Sequence, residues 1–160
     1  MPRLGESMAR ERLGEMLVRR GRIDDLQLRS ALAHQQRWGG QLGRAVVTLG
    51  FAEEPAVLEL VGEQLGIPFI SLEDRMVERD VLALLPEKFM RVRKVLPLAR
   101  LRETRRGPLL VALANPGDLG ALDEVAFATG LQIRPALVAE GDLERAMNRL
   151  LGARLGLVVH

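Results

Sequence analysis

The polar side chains with the most regular spacing in this sequence lie at the ends of two equal stretches. The first stretch begins with Arg12-Leu13-Gly14 and closes on Gln35, and the second begins with Gln41-Leu42-Gly43 and closes on Gln64. Each stretch is 24 residues long, and five residues separate them. Guanidinium and amide groups form hydrogen bonds, so the chemistry they indicate is binding. Because the pattern occurs twice, it suits a ligand with two equivalent halves.

The interior of the two stretches repeats as well. Each contains an apolar cluster, a glycine, and then two apolar residues one helical turn apart. The glycine and the apolar pair are Gly21, Leu28 and Leu32 in the first copy and Gly50, Val57 and Val61 in the second. A repeat that keeps glycines, apolar positions and a terminal amide in register indicates structural duplication.

Two helical hairpins are predicted to position these residues. Apolar residues at helical spacing predict helices over residues 9–20, 24–37, 42–49 and 53–65. Gly21 and Gly50 are typical of helix ends, and Asp24 is a candidate N-cap. We therefore expect residues 10–68 to form a helical subdomain that contains both copies.

The second half of the chain has a different pattern. Short apolar segments predict strands over residues 95–99, 109–114 and 131–138, with 69–70 as a short edge strand. Helices are predicted over 80–85, 86–92, 119–129 and 142–151, and Asp118 is a candidate N-cap. The predicted fold class is α+β: a helical N-terminal half, then a small α/β half with about three strands over residues 69–151. Residues 1–9 are expected to form a loose leader and residues 152–160 a frayed tail.

Composition excludes several classes of protein. The sequence has no Cys, which excludes disulfides, thiolate catalysis and Cys-ligated zinc. No apolar run is long enough to span a membrane, and the N-terminus lacks the apolar segment of a secretory signal. We therefore expect a cytoplasmic protein without direct membrane insertion.

The sequence also lacks the motifs of common enzymes. Neither Lys88 nor Lys94 follows a glycine, so no phosphate-binding loop of the Gly-x-x-x-x-Gly-Lys-Ser/Thr type is present. The two histidines are not at metal-ligand spacing, so we expect a binding protein without metal or cofactor rather than an enzyme. Eight basic residues lie from Lys88 to Arg106, which suits an acidic partner. No nucleic-acid motif accompanies them, and no DNA or RNA partner is expected.

The twin motif, together with landmarks in the second half, resembles the MshEN domain family. This family is the N-terminal domain of assembly ATPases in type II secretion and type IV pilus systems. The resemblance covers about residues 10–151, and its specificity comes from the twin motif and the order of the landmarks. These are Ile67-Pro68-Phe69, Leu85-Pro86, Val95-Leu96-Pro97-Leu98, Ala112-Leu113-Ala114-Asn115-Pro116 and Phe127-Ala128-Thr129-Gly130.

The resemblance implies a regulatory domain that binds the bacterial second messenger cyclic di-GMP. By position in the motif, the first half-site consists of Arg12, Leu13, Gly14, Leu28, Leu32 and Gln35, and the second of Gln41, Leu42, Gly43, Val57, Val61 and Gln64. Asn115-Pro116 stands where the family has an Asp-Pro turn whose acid can contribute to the ligand site. The implied protein partners are the motor domain of a pilus or secretion ATPase, or an inner-membrane platform protein.

The chemistry of these residue types is compatible with that ligand, which has two guanines and two phosphates related by two-fold symmetry. The guanidinium of Arg12 can engage guanine O6 and N7 together, and the Gln amides can meet a base edge or a ribose hydroxyl. A Gly after Leu lets the backbone approach a flat ligand, and N–H groups at a helix start favour phosphate oxygens. Apolar side chains one turn apart can pack on ribose and purine.

The second copy departs from the first in ways that weaken the predicted contacts. Gln41 lacks the charge of its counterpart in the first copy, and Val57 and Val61 are shorter than the Leu pair. Asn115 keeps an acceptor oxygen but lacks the charge of the family's acid.

Each candidate residue also has a purely structural interpretation. The apolar residues would be core between the hairpins, the glycines would be packing positions, and the glutamines would be exposed helix ends. Trp38, in the spacer, would cap the helical core. The functional alternative is a docking domain that binds no nucleotide and links the ATPase to an inner-membrane platform component.

Overall fold

The structure is a computed structural model that describes residues 12–101 and 107–159. The chain forms two compact units that divide between Ile67 and Pro68. The predicted leader, residues 1–9, lies outside the described residues. The first unit contains both copies of the repeated motif.

Four helices form the described part of the first unit, two from each copy of the motif. They are α1 (Leu13–Arg19), α2 (Asp25–Trp38), α3 (Leu42–Thr48) and α4 (Glu54–Leu65). α2 begins with a capping box, in which Asp24 Oδ1 accepts a hydrogen bond from the Gln27 N–H and Gln27 Oε1 accepts one from the Asp24 N–H. Gly21 and Gly50 form equivalent turns with φ of 72° and 76°, in the left-handed region that favours glycine.

The core of the first unit is built from equivalent positions in the two copies. Met16 and Leu17 are buried, and so are their counterparts Ala45 and Val46. The other buried members of this core are Ile23, Ala31, Val57 and Leu60. Because the buried residues repeat at the interval of the motif, the duplication in the sequence is also a duplication of packing.

A three-stranded sheet and four helices form the described part of the second unit. The strands are β1 (Val95–Arg100), β2 (Leu109–Leu113) and β3 (Ile133–Leu137), in the order β1-β2-β3. β1 pairs antiparallel with β2, and β3 pairs parallel with β2. The helices are α5 (Arg79–Leu82), α6 (Glu87–Arg93), α7 (Gly120–Thr129) and α8 (Glu140–Val159). The predicted fold class is confirmed, because the described chain is mostly helical and its small sheet lies in the C-terminal part.

Residues 69–72, at the start of the second unit, are hydrogen-bonded to β3 and α8. The predicted edge strand at residues 69–70 is reduced to an isolated parallel bridge between Phe69 and Leu137. The Ile70 N–H donates to the Leu137 carbonyl oxygen at 2.9 Å. The Leu72 N–H donates to Asp142 Oδ2 at 2.7 Å, so the segment that leads into the α/β fold is held at two points.

Two predicted boundaries in the second unit are wrong. α7 begins at Gly120 with Leu119 as its N-cap, one residue later than predicted, and the Asp118 carboxylate binds the guanidinium of Arg93. α8 begins at Glu140 and continues to Val159, beyond the predicted end at residue 151. The residues after this predicted end include Ala, Arg and Leu, which are strong helix formers, and no Pro.

Leu17→Ala is expected to lower the free energy of unfolding by about 2–5 kcal/mol, because truncating a fully buried leucine leaves a cavity. Leu26→Ala on α2 is the matched control, since that side chain is 70% exposed. Its expected effect is within about 0.5 kcal/mol. Urea unfolding followed by the fluorescence of Trp38, the one tryptophan, measures both in the first unit. Equal effects of the two substitutions would contradict the described core.

Candidate functional site

The two copies of the motif contact each other through their Leu-Gly pairs. A Cβ placed on Gly43 would lie 3.4 Å from Leu13 Cδ2, and a Cβ placed on Gly14 would lie 3.2 Å from Leu42 Cδ2. The leucine of each copy therefore packs on the glycine of the other. The exchange is symmetrical, so the first turns of α1 and α3 are related by a pseudo-two-fold axis.

Each glycine also packs against an apolar residue of its own copy. A Cβ on Gly14 would lie 2.7 Å from Leu28 Cδ1, and a Cβ on Gly43 would lie 3.0 Å from Val57 Cγ1. Both distances are shorter than ordinary contacts to a Cβ, so the surrounding side chains fill the space that a larger residue would need. Packing between the hairpins is thus a role of both glycines in this structure.

The residues that directly precede the two packed helix starts occupy equivalent positions in the two copies. Arg12 and Gln41 are the N-caps of α1 and α3, and both have extended backbone with ψ of 148°. Both residues are exposed, and neither side chain caps its helix. The guanidinium and the amide therefore lie at the surface, at equivalent positions of the two copies.

The six apolar candidate residues differ in burial. Val57 belongs to the buried core, whereas Leu32 is 45% exposed. The other four are half-buried and pack against the core: Leu13, Leu28, Leu42 and Val61. The structural interpretation as core holds for Val57, and Leu32 is the candidate whose side chain is most accessible to a ligand.

The two terminal glutamines are half-buried. Gln35 Nε2 donates to the Gly40 carbonyl oxygen at 3.0 Å, which ties the end of the first copy to the residue before Gln41. Gln64 lies near the end of α4, which closes on Gly66 in the left-handed conformation. The Gln35 amide is thereby held close to the point where the second half-site begins.

Trp38 does not cap the helical core, so this part of the prediction is wrong. Its side chain is 69% exposed at the end of α2. The Arg37 guanidinium lies over the indole, with Cζ 5.4 Å from the ring centroid, and the His34 ring centroid is 6.4 Å away. Trp38 is three residues from both Gln35 and Gln41, so an exposed ring stands between the polar ends of the two copies.

Asn115 lies in the second unit, in a turn that its own side chain stabilises. Asn115 Oδ1 accepts a hydrogen bond from the Gly117 N–H at 3.0 Å, and the Asn115 carbonyl oxygen accepts one from the Asp118 N–H at 3.0 Å. Arg93 then donates to both carboxylate oxygens of Asp118, at 3.2 and 3.0 Å, and also pairs with Glu124. Sequence analysis missed this role of Arg93, because its partner is 25 residues away and no local spacing links them.

Part of the basic cluster from Lys88 to Arg106 is neutralised within the second unit. Lys94 pairs with Glu140, and Arg91 pairs with Glu87 at 3.0 Å. Residues 102–106 lie outside the described residues. Three of the four paired residues line a cavity of about 240 Å³ that has as many carboxylates as cations. Its lining consists of Arg91, Lys94, Glu140, Leu143, Glu144 and Met147.

The described residues offer neither a metal site nor a membrane span. They contain no group of His, Asp and Glu side chains arranged to hold a metal ion. None of the helices in residues 12–101 and 107–159 is both long and apolar enough to cross a membrane.

Comparison with known sequences identifies relatives over most of the chain. The family model of the MshEN domain matches residues 65–157. The type IV pilus assembly ATPase PilB of Myxococcus xanthus is 36% identical over 139 residues, which cover 86% of this chain and 24% of that protein. PilB of Thermus thermophilus is 33% identical over 125 residues, which cover 78% of this chain and 14% of that protein. The chain thus spans about a quarter or less of the length of these relatives.

Comparison with solved structures gives the same result. A structure of MshE with cyclic di-GMP matches with a TM-score of 0.75 and 30% identity, covering 88% of this chain and 99% of that chain. The N-terminal domain of XpsE matches with a TM-score of 0.66 and 25% identity, covering 87% of this chain and 93% of that chain. The similarity therefore includes nearly the whole of each matched structure.

Gly43→Ala is expected to destabilise the first unit by about 1 kcal/mol, because the new Cβ meets Val57 Cγ1 at 3.0 Å and valine has one preferred rotamer in a helix. In a Val57→Ala background the same change is expected to be neutral or stabilising, since Ala is a better helix former than Gly. A double-mutant cycle in urea measures the coupling, expected at about 1–2 kcal/mol.

The control for this cycle is Gly120→Ala in the first turn of α7, where a Cβ would lie 3.9 Å from the nearest atom, Asp118 Oδ1. This substitution is expected to show no coupling to Val57→Ala. Simple additivity at positions 43 and 57 would contradict the contact between them.

The Arg93–Asp118 pair predicts a loss of stability in acid. Hydrogen bonds from Arg93 hold the pKa of Asp118 below its ordinary value of 3.8, against the partial burial that raises it. A depressed carboxylate pKa stabilises the fold above the unfolded-state value, and this contribution is lost as the pH falls through the folded-state value. The difference in unfolding free energy between wild type and Asp118→Asn is therefore expected to shrink as the pH falls below about 5, where the unfolded-state carboxyl begins to bind a proton.

Asp123→Asn, which removes an exposed carboxylate from α7, the helix that follows Asp118, is the control for the loss of one charge. Urea unfolding at each pH measures both variants. The same pH dependence in the two variants would argue against the Arg93–Asp118 pair.

Proposed function

Because this chain belongs to the MshEN domain family, we propose that it is a regulatory domain that binds cyclic di-GMP through its twin motif. The observation that supports this most directly is the reciprocal Leu-Gly packing, which sets Arg12 and Gln41 at equivalent surface positions. A cyclic dinucleotide with two-fold symmetry presents two purines and two phosphates in equivalent positions. Its symmetry therefore matches that of the two copies.

In the proposed first half-site, Arg12 donates to guanine O6 and N7, and Leu32 packs on the base or ribose. Arg12 is suited to this role because its planar guanidinium is exposed and does not cap α1. Leu32 is suited because almost half of its surface is accessible on α2. Gln35 completes the half-site with its amide, and its bond to Gly40 limits the orientations that the amide can adopt.

The comparisons support both the ligand and the biological setting. MshE, which is 30% identical to this chain, was solved with cyclic di-GMP. The similarity to PilB proteins supports a place in an assembly ATPase of a type IV pilus or secretion system. As a domain of such an ATPase, it would act in the cytoplasm, next to the motor domain or an inner-membrane platform protein.

The proposed regulation is a shift between conformations of the first unit. A ligand that contacts both copies stabilises the arrangement in which their half-sites are correctly spaced. A partner that distinguishes this arrangement then responds to the concentration of the ligand. Asn115 stays a predicted contact of the site.

Arg12→Ala is expected to weaken cyclic di-GMP binding about 10- to 100-fold, because hydrogen bonds from a charged donor contribute about 1.5–3 kcal/mol. Isothermal titration measures this, with cyclic di-AMP and GTP as ligand controls. Arg29→Ala, which removes an exposed arginine in the middle of α2, is the matched control and should leave the affinity unchanged.

Gln35→Ala is expected to weaken binding as well, whereas Gln36→Ala, on the next and more exposed residue, should not. Far-UV circular dichroism confirms that each variant is folded. No heat of binding with folded wild-type protein at high ligand concentration would rule out the proposal. The docking domain without a nucleotide ligand would then be the better interpretation.

A further inference from the structure

The inner face of α2 ends in an aromatic ring that the first unit leaves uncovered. Ala31 is fully buried, Gln35 is half-buried, and Trp38 is the next residue on the same face, at helical spacing. A large apolar residue in such a series normally continues the core, yet Trp38 is 69% exposed. The equivalent position in the second copy, 29 residues further on, is occupied by the aliphatic Ile67. The ring is therefore an addition to one copy, and it requires an explanation other than core packing.

The surroundings of Trp38 suit a flat, negatively charged ligand. Arg37 lies over the indole at 5.4 Å, so a cation and an aromatic face occur together. Purine bases stack on exposed indole rings with little dependence on which base is present. Arg37 and Trp38 directly precede the spacer glycines that lead to Gln41, the position where the second copy lacks the arginine of the first.

The two N-cap residues, Arg12 and Gln41, differ in the purine base with which they can form two hydrogen bonds. The guanidinium of Arg12 has only donors, and it pairs with the two acceptors O6 and N7 of guanine. The amide of Gln41 has one acceptor and one donor group, so it pairs in bidentate fashion with adenine N6 and N7. At the O6–N7 edge of guanine the same amide can only donate. The first copy is therefore matched to guanine, whereas the second copy is at least as well matched to adenine.

We propose that the second half-site, formed by Gln41 and the Arg37–Trp38 pair, binds its purine by stacking and accepts adenine as well as guanine. This inference rests on the proposed function, because it assigns the second base of the same cyclic dinucleotide. The ligand class is then a cyclic dinucleotide with at least one guanine, and it includes the mixed guanine–adenine compound. Cyclic di-AMP is the weaker ligand, because adenine offers the Arg12 guanidinium one acceptor, N7, where guanine offers two.

Isothermal titration of three cyclic dinucleotides tests the base preference. The mixed guanine–adenine ligand is expected to bind within about tenfold of cyclic di-GMP, and cyclic di-AMP at least about tenfold more weakly than either. Gln41→Arg is expected to favour cyclic di-GMP over the mixed ligand by about tenfold or more, because it restores a bidentate guanine donor.

Substitution of the ring tests the stacking. Trp38→Ala is expected to weaken cyclic di-GMP and the mixed ligand alike, by about 5- to 100-fold, and Trp38→Phe to retain most of the affinity. Leu26→Ala is the matched control, since it removes an apolar side chain of similar exposure on the same helix. In the wild type, both ligands are expected to quench the fluorescence of Trp38, which a purely structural role of the ring does not predict.

The outcomes separate this inference from the function on which it rests. If cyclic di-GMP binds but the mixed ligand binds as weakly as cyclic di-AMP, the second half-site selects guanine and the inference is wrong. If Trp38→Ala binds as well as the Leu26→Ala control, the ring is not part of the site and the inference is also wrong. If no cyclic dinucleotide binds to folded wild-type protein, the proposed function falls, and this inference falls with it.

Discussion

The first unit depends on the close packing of two helix starts, each of which contains a glycine that contacts the leucine of the other. Leu13 and Leu42 cross between the copies and occupy the space beside Gly43 and Gly14. A side chain at Gly14 would meet Leu28 at 2.7 Å, and one at Gly43 would meet Val57 at 3.0 Å, so the neighbouring side chains would have to shift. The remaining packing is consistent with this contact, since the fully buried Leu17 and Val46 are equivalent positions behind it. The repeated Leu-Gly pairs are thus the residues through which the two hairpins pack on each other.

Much of the first unit was predictable, because its signals are local. Helix spacing, the Asp24 cap and the turn glycines each act within a few residues, and the structure contains the helices that they indicate. The packing of one copy on the other was not predictable, because nothing in a single sequence states which side of Gly14 will be filled. The exposure of Trp38 has the same origin: its spacing on α2 matches the core face, and only the tertiary structure shows that the core ends before it.

The second unit shows where local reasoning fails. Asp118 has the residue type and position of an N-cap, but a doubly hydrogen-bonded arginine from a distant helix competes for the same carboxylate. The charge-assisted pair links α6 to the turn before α7, and no spacing within either segment indicates it. The candidate ligand residues came from resemblance rather than from periodicity. Their geometry adds a feature that resemblance did not supply, which is a symmetrical scaffold with different chemistry at its two ends.

The buried glycines also have a consequence for how this architecture changes over evolutionary time. A chain of this architecture that bound no nucleotide would still favour a small residue at both positions, because neighbouring side chains fill the space beside each glycine. The exposed N-caps and the residues around Trp38 are under no such constraint, and they are free to drift. The Leu-Gly pairs therefore preserve the scaffold of the duplication, and the surface residues beside them are the positions at which binding chemistry can change.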